Sequence, residues 1–432
     1  MKRLKIAVIG AGSTYTPELI DGFIKRLREL PFTEIFLMDL DPVKLEIVGG
    51  LAGRMLRAAG HPASLALTGE LEEAVRGADF VICQIRVGRL EARIKDERIP
   101  LRHDLIGQET TGAGGFMKAL RSIPALRRIA AAMERLAPEA WLINFTNPAG
   151  LITEMLLNHC RVRAIGLCNG PIHMLEDALQ RTPENWRAAT EIEYVGLNHL
   201  SWVTRISHQG RDLLRDQLSG SFQLFRPANQ PKIEFAPELL REVGAIPCSY
   251  LSYYYHRDQS LAHLKAAPQT RGELCREIEA ELLELYRQPG LVEKPAVLEK
   301  RGGSKYSEVA VSLISAIHND KNERHVVNVQ NRGALPFMGD DDVVEVQCLV
   351  NRQGATPLPL PRFDNQHIIG MMQTLKSYEK LAVRAGLSGD RHLALQALLN
   401  HPLVGDYHRA KAVLGELLAA HREHLPQFFP AN

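Results

Sequence analysis

The chain has 432 residues, 45% hydrophobic and 24% charged, with 52 Lys and Arg against 50 Asp and Glu. That length predicts two or three domains with large cores, and the composition excludes a disordered chain. A net charge of +2 gives no footing to a nucleic-acid or membrane-surface protein.

Residues 4–9, LKIAVI, follow a basic start and are broken by Gly10 and Gly12, so the apolar run is too short for a signal peptide and reads as a buried strand. A Gly-rich turn follows, then a helix from Pro17 to Leu30 with Pro near its first turn. EIFLMD at 34–39 is a second strand, ending in Asp39. A helix from Pro42 leads to three more strands, SLALT, DFVICQI at 79–85 and WLINF at 141–145. Near-continuous apolar strands alternating with helices predict a doubly wound parallel sheet of Rossmann-like type.

The pattern changes after about residue 165. Residues 191–207 hold two β-like runs around Asn198-His199, and 212–236 is polar and reads as a loop. Helical periodicity follows in RGELCREIEAELLELY and YSEVAVSLISAIHND. β-like runs return in HVVNVQN and DVVEVQCLV, and the chain is helical again from Gln366. The expected division is a nucleotide-binding domain over 1–165 and a larger mixed α/β domain over 166–432. No stretch approaches the roughly 18 apolar residues of a membrane helix. Six scattered Cys without a C-x-x-C pair predict free thiols and a cytoplasmic setting.

Gly10-Ala11-Gly12-Ser13 lies between a strand and a helix, where glycine lets the backbone approach a pyrophosphate facing the helix N-terminus. Asp39 would accept bonds from a ribose 2′-OH and repel a 2′-phosphate, favouring NAD over NADP. Gly10, Gly12, Ser13, Thr14 and Asp39 are therefore assigned to the cofactor, although Tyr15 replaces the third glycine of the fingerprint.

Two loops follow predicted strands at the edge where open sheets bind ligands. Residues 86–115 carry five Arg before Asp104 and end in GQETTGAGG. These Arg form either a solvated basic face or, in part, a clamp for an anionic substrate. In NFTNPAG at 144–150, Asn147 either starts a turn or orients a hydroxyl. Cys168 and His199 admit two readings as well: a buried thiol and a core imidazole, or the soft-plus-imidazole pair that suits a divalent transition metal. Tyr250 opens the densest aromatic cluster, YLSYYY, which is either core packing or the source of a phenolic base.

In order along residues 1 to about 350, the pieces IGAGSTYTPEL, GQETTGAGG, NFTNPAG, CNGP, GLNHLSW, CSYLSYYY and HVVNVQNRGALPFMGDDDVVEV resemble glycoside hydrolase family 4, the NAD- and divalent-metal-dependent glycosidases. Asn169 in Cys-Asn-x-Pro is similar to the 6-phospho-β-glucosidase branch, where the α branch has Asp. The resemblance implies that Cys168 and His199 bind the metal, usually Mn²⁺. It implies Tyr250 as the base, Glu109 near the metal and its water, Arg93 and Arg271 on the sugar phosphate, and Asn147 and Asn169 on sugar hydroxyls. The implied reaction is oxidation at C3 by NAD⁺, proton removal at C2, elimination of the aglycone, water addition and re-reduction. The implied substrate is a phosphorylated disaccharide or an aryl 6-phospho-β-glucoside, and the implied assembly a homodimer or homotetramer. The competing expectations are a 2-hydroxy-acid dehydrogenase of the lactate/malate type, which needs an Arg–His–Asp constellation and no metal, and a non-catalytic NAD-binding protein.

Overall fold

The computed structural model describes residues 4–180, 182, 184–218, 233–301, 305–360 and 362–430. Six short strands, β1 (Lys5–Ile9), β2 (Glu34–Met38), β3 (Ser64–Thr68), β4 (Phe80–Cys83), β5 (Trp141–Asn144) and β6 (Arg163–Gly166), pair in parallel in the order β6-β5-β4-β1-β2-β3. β1 and β4 are buried at every position, as their unbroken apolar sequences require when helices cover both faces. β3 lies at the edge and is partly exposed. The chain leaves β1 toward β2 and β3 on one side, then crosses back to β4 on the other. That reversal opens a crevice beyond the carboxyl ends of β1 and β4.

The helices begin where their sequences say they should. Pro17 sits in the first turn of Thr16–Lys25, which stops short of the expected Leu30. Asp41 caps Pro42–Ala58 by accepting from the Lys44 N–H at 3.1 Å. Thr270 and Glu273 form a reciprocal capping box on Arg271–Tyr286. Gly272 lets that helix approach closely: its N–H donates to Glu97 Oε2 at 2.6 Å, and a Cβ there would stand 2.9 Å from the same oxygen. Cys275 and Glu279 of the same helix line the crevice.

β7 (Thr190–Leu197) and β8 (Leu200–His208) are the two runs expected around Asn198-His199. They form an antiparallel hairpin, Leu197 opposite Leu200, with those two residues as its turn. β9 (Arg211–Asp212) and β10 (Ile246–Pro247) pair with β8 to complete a small sheet. The loop expected over 212–236 includes a short helix, Leu214–Leu218, and residues 219–232 lie outside the described ones. β11 (Glu323–Gln330), β12 (Val343–Asn351) and β13 (Gly354–Pro357) run antiparallel and continue the first sheet past β6, giving nine strands among the described residues. Strands from the region expected as a second domain, 166–432, thus join the sheet begun by 1–165. Local periodicity marks a strand but not the sheet it enters.

Candidate active site

A cleft of about 1140 Å³ occupies the crevice and extends to the β7–β8 turn. Its first wall is the turn after β1. Gly10 has φ +87°, and a Cβ there would stand 3.0 Å from the Gln84 backbone. At Gly12 a Cβ would meet Asp39 Oδ2 at 2.9 Å. Only glycines leave this floor open. The Gly12 N–H donates to Asp39 Oδ2 at 2.8 Å and the Asp41 N–H to Oδ1 at 2.9 Å, so the carboxylate is fixed at the end of β2 with lone pairs to spare. Ser13 and Tyr15 also line the cleft. Thr14 does not: it is wholly buried, and its carbonyl accepts from the Tyr286 hydroxyl at 2.8 Å. Its part is to anchor the turn from behind. The glycine floor and the Asp39 carboxylate fit a dinucleotide with a free ribose diol.

Asp39→Ala should raise the NAD⁺ dissociation constant by roughly 10–100-fold, because a hydrogen bond to a charged group contributes about 1.5–3 kcal/mol. Calorimetric titration checks this. An unchanged constant would remove Asp39 from the cofactor site.

The second wall carries the thiol and the imidazole. Cys168 follows β6, and its Sγ accepts from the Gly170 N–H at 3.4 Å. His199 occupies the second position of the hairpin turn at φ +65°, a left-handed conformation that a non-glycine residue adopts only under local constraint. That backbone brings Nε2 to 3.5 Å from Cys168 Sγ. Two such donors on one tetrahedral ion would also stand about 3.5 Å apart. Burial, reinforced by Glu345, pushes the Cys168 thiol up to about 12. Burial and then the Lys118 charge push His199 down to about 3, which keeps the imidazole neutral, the form that binds a metal. Among the described residues no third His, Cys, Asp or Glu completes a metal-binding group. A cation here would keep positions open for oxygens of water or substrate, as a catalytic ion must.

Tyr250 stands beside this pair. Its ring stacks on His199 with centroids 3.8 Å apart and planes 13° from parallel, and it lines the cleft. The aromatic cluster therefore divides. Tyr253 is wholly buried, Tyr254 meets the Thr111 hydroxyl at 3.0 Å, and the Tyr255 hydroxyl accepts from Trp202 Nε1 at 3.2 Å. Burial pushes all three phenols up. Packing claims these three rings and leaves Tyr250 at the surface of the cleft.

Glu109 lines the cleft and is an ionic hub. Arg86 pairs with its carboxylate, Arg93 Nη1 lies at 3.0 Å and Lys118 Nζ at 2.8 Å. Burial alone would raise this carboxyl, but the three cations outweigh it and hold it well below the usual range. Burial and the Arg86 charge in turn pull Lys118 down to about 7. Glu109 is thus a fixed anion that orders three cations around the cleft.

The sequence expected Arg93 and Arg271 together. Arg93 lines the cleft, with Nε on Glu97 at 2.8 Å and Nη1 on Glu109 at 3.0 Å and on Cys275 Sγ at 3.5 Å. Arg271 does not line the cleft. Its Nη2 donates to the carbonyls of Lys300 at 2.8 Å and Arg301 at 3.0 Å. It thereby holds the segment that sets Arg301 on the cleft wall, with its guanidinium 4.4 Å from the centre of the Tyr15 ring. Asn147 and Asn169 both line the cleft. The turn role belongs instead to Asn144, whose Oδ1 accepts from the Thr146 N–H at 3.0 Å, while Asn147 Oδ1 is buried with no partner among the described residues. Sequence reasoning missed Lys118, Cys275 and Arg301 as cleft residues. A lysine inside the apolar run GFMKAL was the one available signal.

The model of the family 4 glycosyl hydrolases matches residues 5–182, and that of the family's C-terminal domain matches residues 194–404. A 6-phospho-β-glucosidase of Escherichia coli strain K12 is 40% identical to this chain over 443 residues, covering 99% of this chain and 97% of its own. The phospho-α-glucosidase PagL of Clostridium acetobutylicum is 30% identical, covering 98% of each. Among solved structures, the 6-phospho-β-glucosidase of Thermotoga maritima with manganese, NAD⁺ and glucose-6-phosphate aligns with a TM-score of 0.89 at 34% identity, covering 98% of this chain and 99% of that one.

Proposed function

The chain belongs to family 4 of the glycosyl hydrolases, and from that premise we propose that it hydrolyses 6-phospho-β-glucosides with bound NAD⁺ and a divalent cation, Mn²⁺. The observation that carries this reading is the meeting of the glycine turn, the Cys168–His199 pair and Tyr250 on one cleft. When bound, the two groups supply hydride acceptance and Lewis-acid polarisation of sugar oxygens.

The remaining work falls to the chain. Gly10, Gly12, Ser13 and Asp39 would hold the dinucleotide. Cys168 and His199 hold the cation. The phenolic oxygen of Tyr250 takes the proton from C2 of the sugar, and Asn147 Oδ1, buried without a partner among the described residues, accepts from a sugar hydroxyl. The Arg93 guanidinium meets the 6-phosphate from the cleft wall, with Arg271 acting through the segment it supports. Glu109 keeps Arg86, Arg93 and Lys118 in register. Asn169 and the higher identity to the β-glucosidase relative favour the β over the α anomer.

A dehydrogenase of the lactate/malate type would place Arg, His and Asp together against its substrate. A buried trio of this kind is Arg121, Asp96 and His421, with Arg121 on both Asp96 oxygens at 2.7 and 2.6 Å and His421 Nε2 at 3.1 Å. All three side chains are at most 1% exposed and none lines the cleft, so the trio ties the last helical turn to the core. Among the described residues no helix is long and apolar enough to cross a membrane. A cytoplasmic setting and a homodimer or homotetramer complete the proposal, on the family resemblance.

The test is release of p-nitrophenol from the 6-phospho-β-glucoside, its α-linked counterpart and the unphosphorylated sugar, with and without NAD⁺ and Mn²⁺. Turnover should need both additions and the β linkage. Loss of the phosphate should lower kcat/KM by roughly 10–100-fold for one well-placed charge-assisted bond. Net NADH formation from a 2-hydroxy acid, without glycoside cleavage, would overturn the proposal.

A further inference from the structure

Behind the metal pair lies a polar cluster that the roles above do not use. Glu345, in β12, is 1% exposed. Its Oε1 accepts from Asn198 Nδ2 at 2.9 Å and from Asn328 Nδ2 at 3.1 Å, and its Oε2 accepts from the Tyr194 hydroxyl at 2.7 Å. The Tyr194 oxygen also lies 2.7 Å from Ser201 Oγ. These partners come from β7, the hairpin turn, β8 and β11. One side chain therefore ties the small sheet to the large one at the point where the turn presents His199.

The choice of a carboxylate is the informative part. Every donor to Glu345 is neutral, and among the described residues no Lys or Arg pairs with it. A buried charge without a counter-charge is costly, and a neutral side chain could join the same strands without that cost. A nearby feature able to hold a cation is the Cys168–His199 pair. Glu345 acts electrostatically on Cys168, and the Asn198 amide that it holds also acts on the Cys168 thiol. Asn198 is also the residue before His199 in the strained turn, so whatever fixes its amide fixes the imidazole.

We propose that Glu345 is the positioning residue of the metal pair: through the Asn198 amide it fixes the turn that sets His199 against Cys168, and its carboxylate offsets the charge of the cation held there. This rests on the reading of Cys168 and His199 as cation ligands. Outer partners of metal ligands act in this way, orienting the ligand and tuning the ion.

The experiment titrates Mn²⁺ into the purified full-length chain, following the free ion by electron paramagnetic resonance, with NAD⁺ affinity measured alongside. Glu345→Gln keeps the shape and removes the charge. It should raise the Mn²⁺ dissociation constant by roughly 10–100-fold and leave NAD⁺ binding unchanged. Glu345→Asp, which restores the charge, should bind Mn²⁺ more tightly than the Gln variant. Asn198→Ala cuts the link to the turn while Tyr194 and Asn328 still join the sheets, and should weaken Mn²⁺ by roughly tenfold. A Gln variant that binds NAD⁺ and Mn²⁺ like wild type would overturn the proposal. If the Gln variant does not fold, unchanged Mn²⁺ binding by Asn198→Ala would overturn it instead. Wild type that binds no Mn²⁺ would overturn the metal reading itself, and this inference with it.

Discussion

Tyr250→Phe should release aglycone roughly 10²–10⁴-fold more slowly than wild type, the usual worth of a positioned general base. A phenylalanine ring keeps the stack on His199 at 3.8 Å, so Mn²⁺ and NAD⁺ should bind as before. The loss is confined to one oxygen. In D₂O, wild type should deliver product sugar with deuterium at C2, and the variant should not. Bound NADH should still form in the variant, because hydride transfer from C3 does not pass through this phenol. Exchange at C2 near the wild-type rate would acquit Tyr250. Tyr253, Tyr254 and Tyr255 would not inherit the role, since packing already holds their rings away from the cleft.

Cys168→Ser should be the most damaging single change. A serine hydroxyl does not ionise near neutrality and is a poor partner for a transition ion. Mn²⁺ affinity should fall by more than the 10–100-fold typical of an outer-partner variant. Lewis-acid polarisation is worth several kcal/mol, so turnover at limiting Mn²⁺ should fall by roughly 10³-fold or more. His199→Ala should behave likewise, because the two donors lie 3.5 Å apart and share one ion. Peroxide should inactivate wild type, with recovery in thiol reductant only if oxidation stops at the sulfenic stage. Full activity of either variant after treatment with a chelator would sink the assignment.

Much of the fold was legible because the strands that matter most are covered on both faces. LKIAVI and DFVICQI leave no polar stripe, and they became β1 and β4, the strands that flank the crevice. The hairpin at Asn198-His199 was legible for a different reason: two apolar runs separated by two residues permit little else. RAIG at 163–166 lies in the apolar run VRAIGL, whose periodicity alone does not tell a strand from a buried helix segment. Nor does anything local in HVVNVQN say that it will pair beside β6. At the site, residue types were readable and directions were not. Four tyrosines looked alike until helix packing turned one toward the cleft. Arg271 and Arg301 were equally basic in sequence, but only the backbone shows that the first supports the segment carrying the second. Glu345 carried no signal of its own, since its meaning comes from Asn198, far away along the chain.

The return of β11 to the edge of β6 also sets the order in which the molecule can be made. Asn328, which donates to the Gly166 carbonyl, lies 162 residues further along the chain. At roughly 5–20 residues per second, a ribosome takes about ten to thirty seconds to deliver it. Through that interval the nascent chain holds β6 with one edge unpaired, and such an edge is a template for any passing strand. Cys168 and His199 emerge during the same interval, before β12 brings Glu345 to the turn that carries His199. The dinucleotide half of the cleft can therefore take shape early, whereas the metal half closes only when the last strands arrive. Cellular help in folding would be needed most in that window.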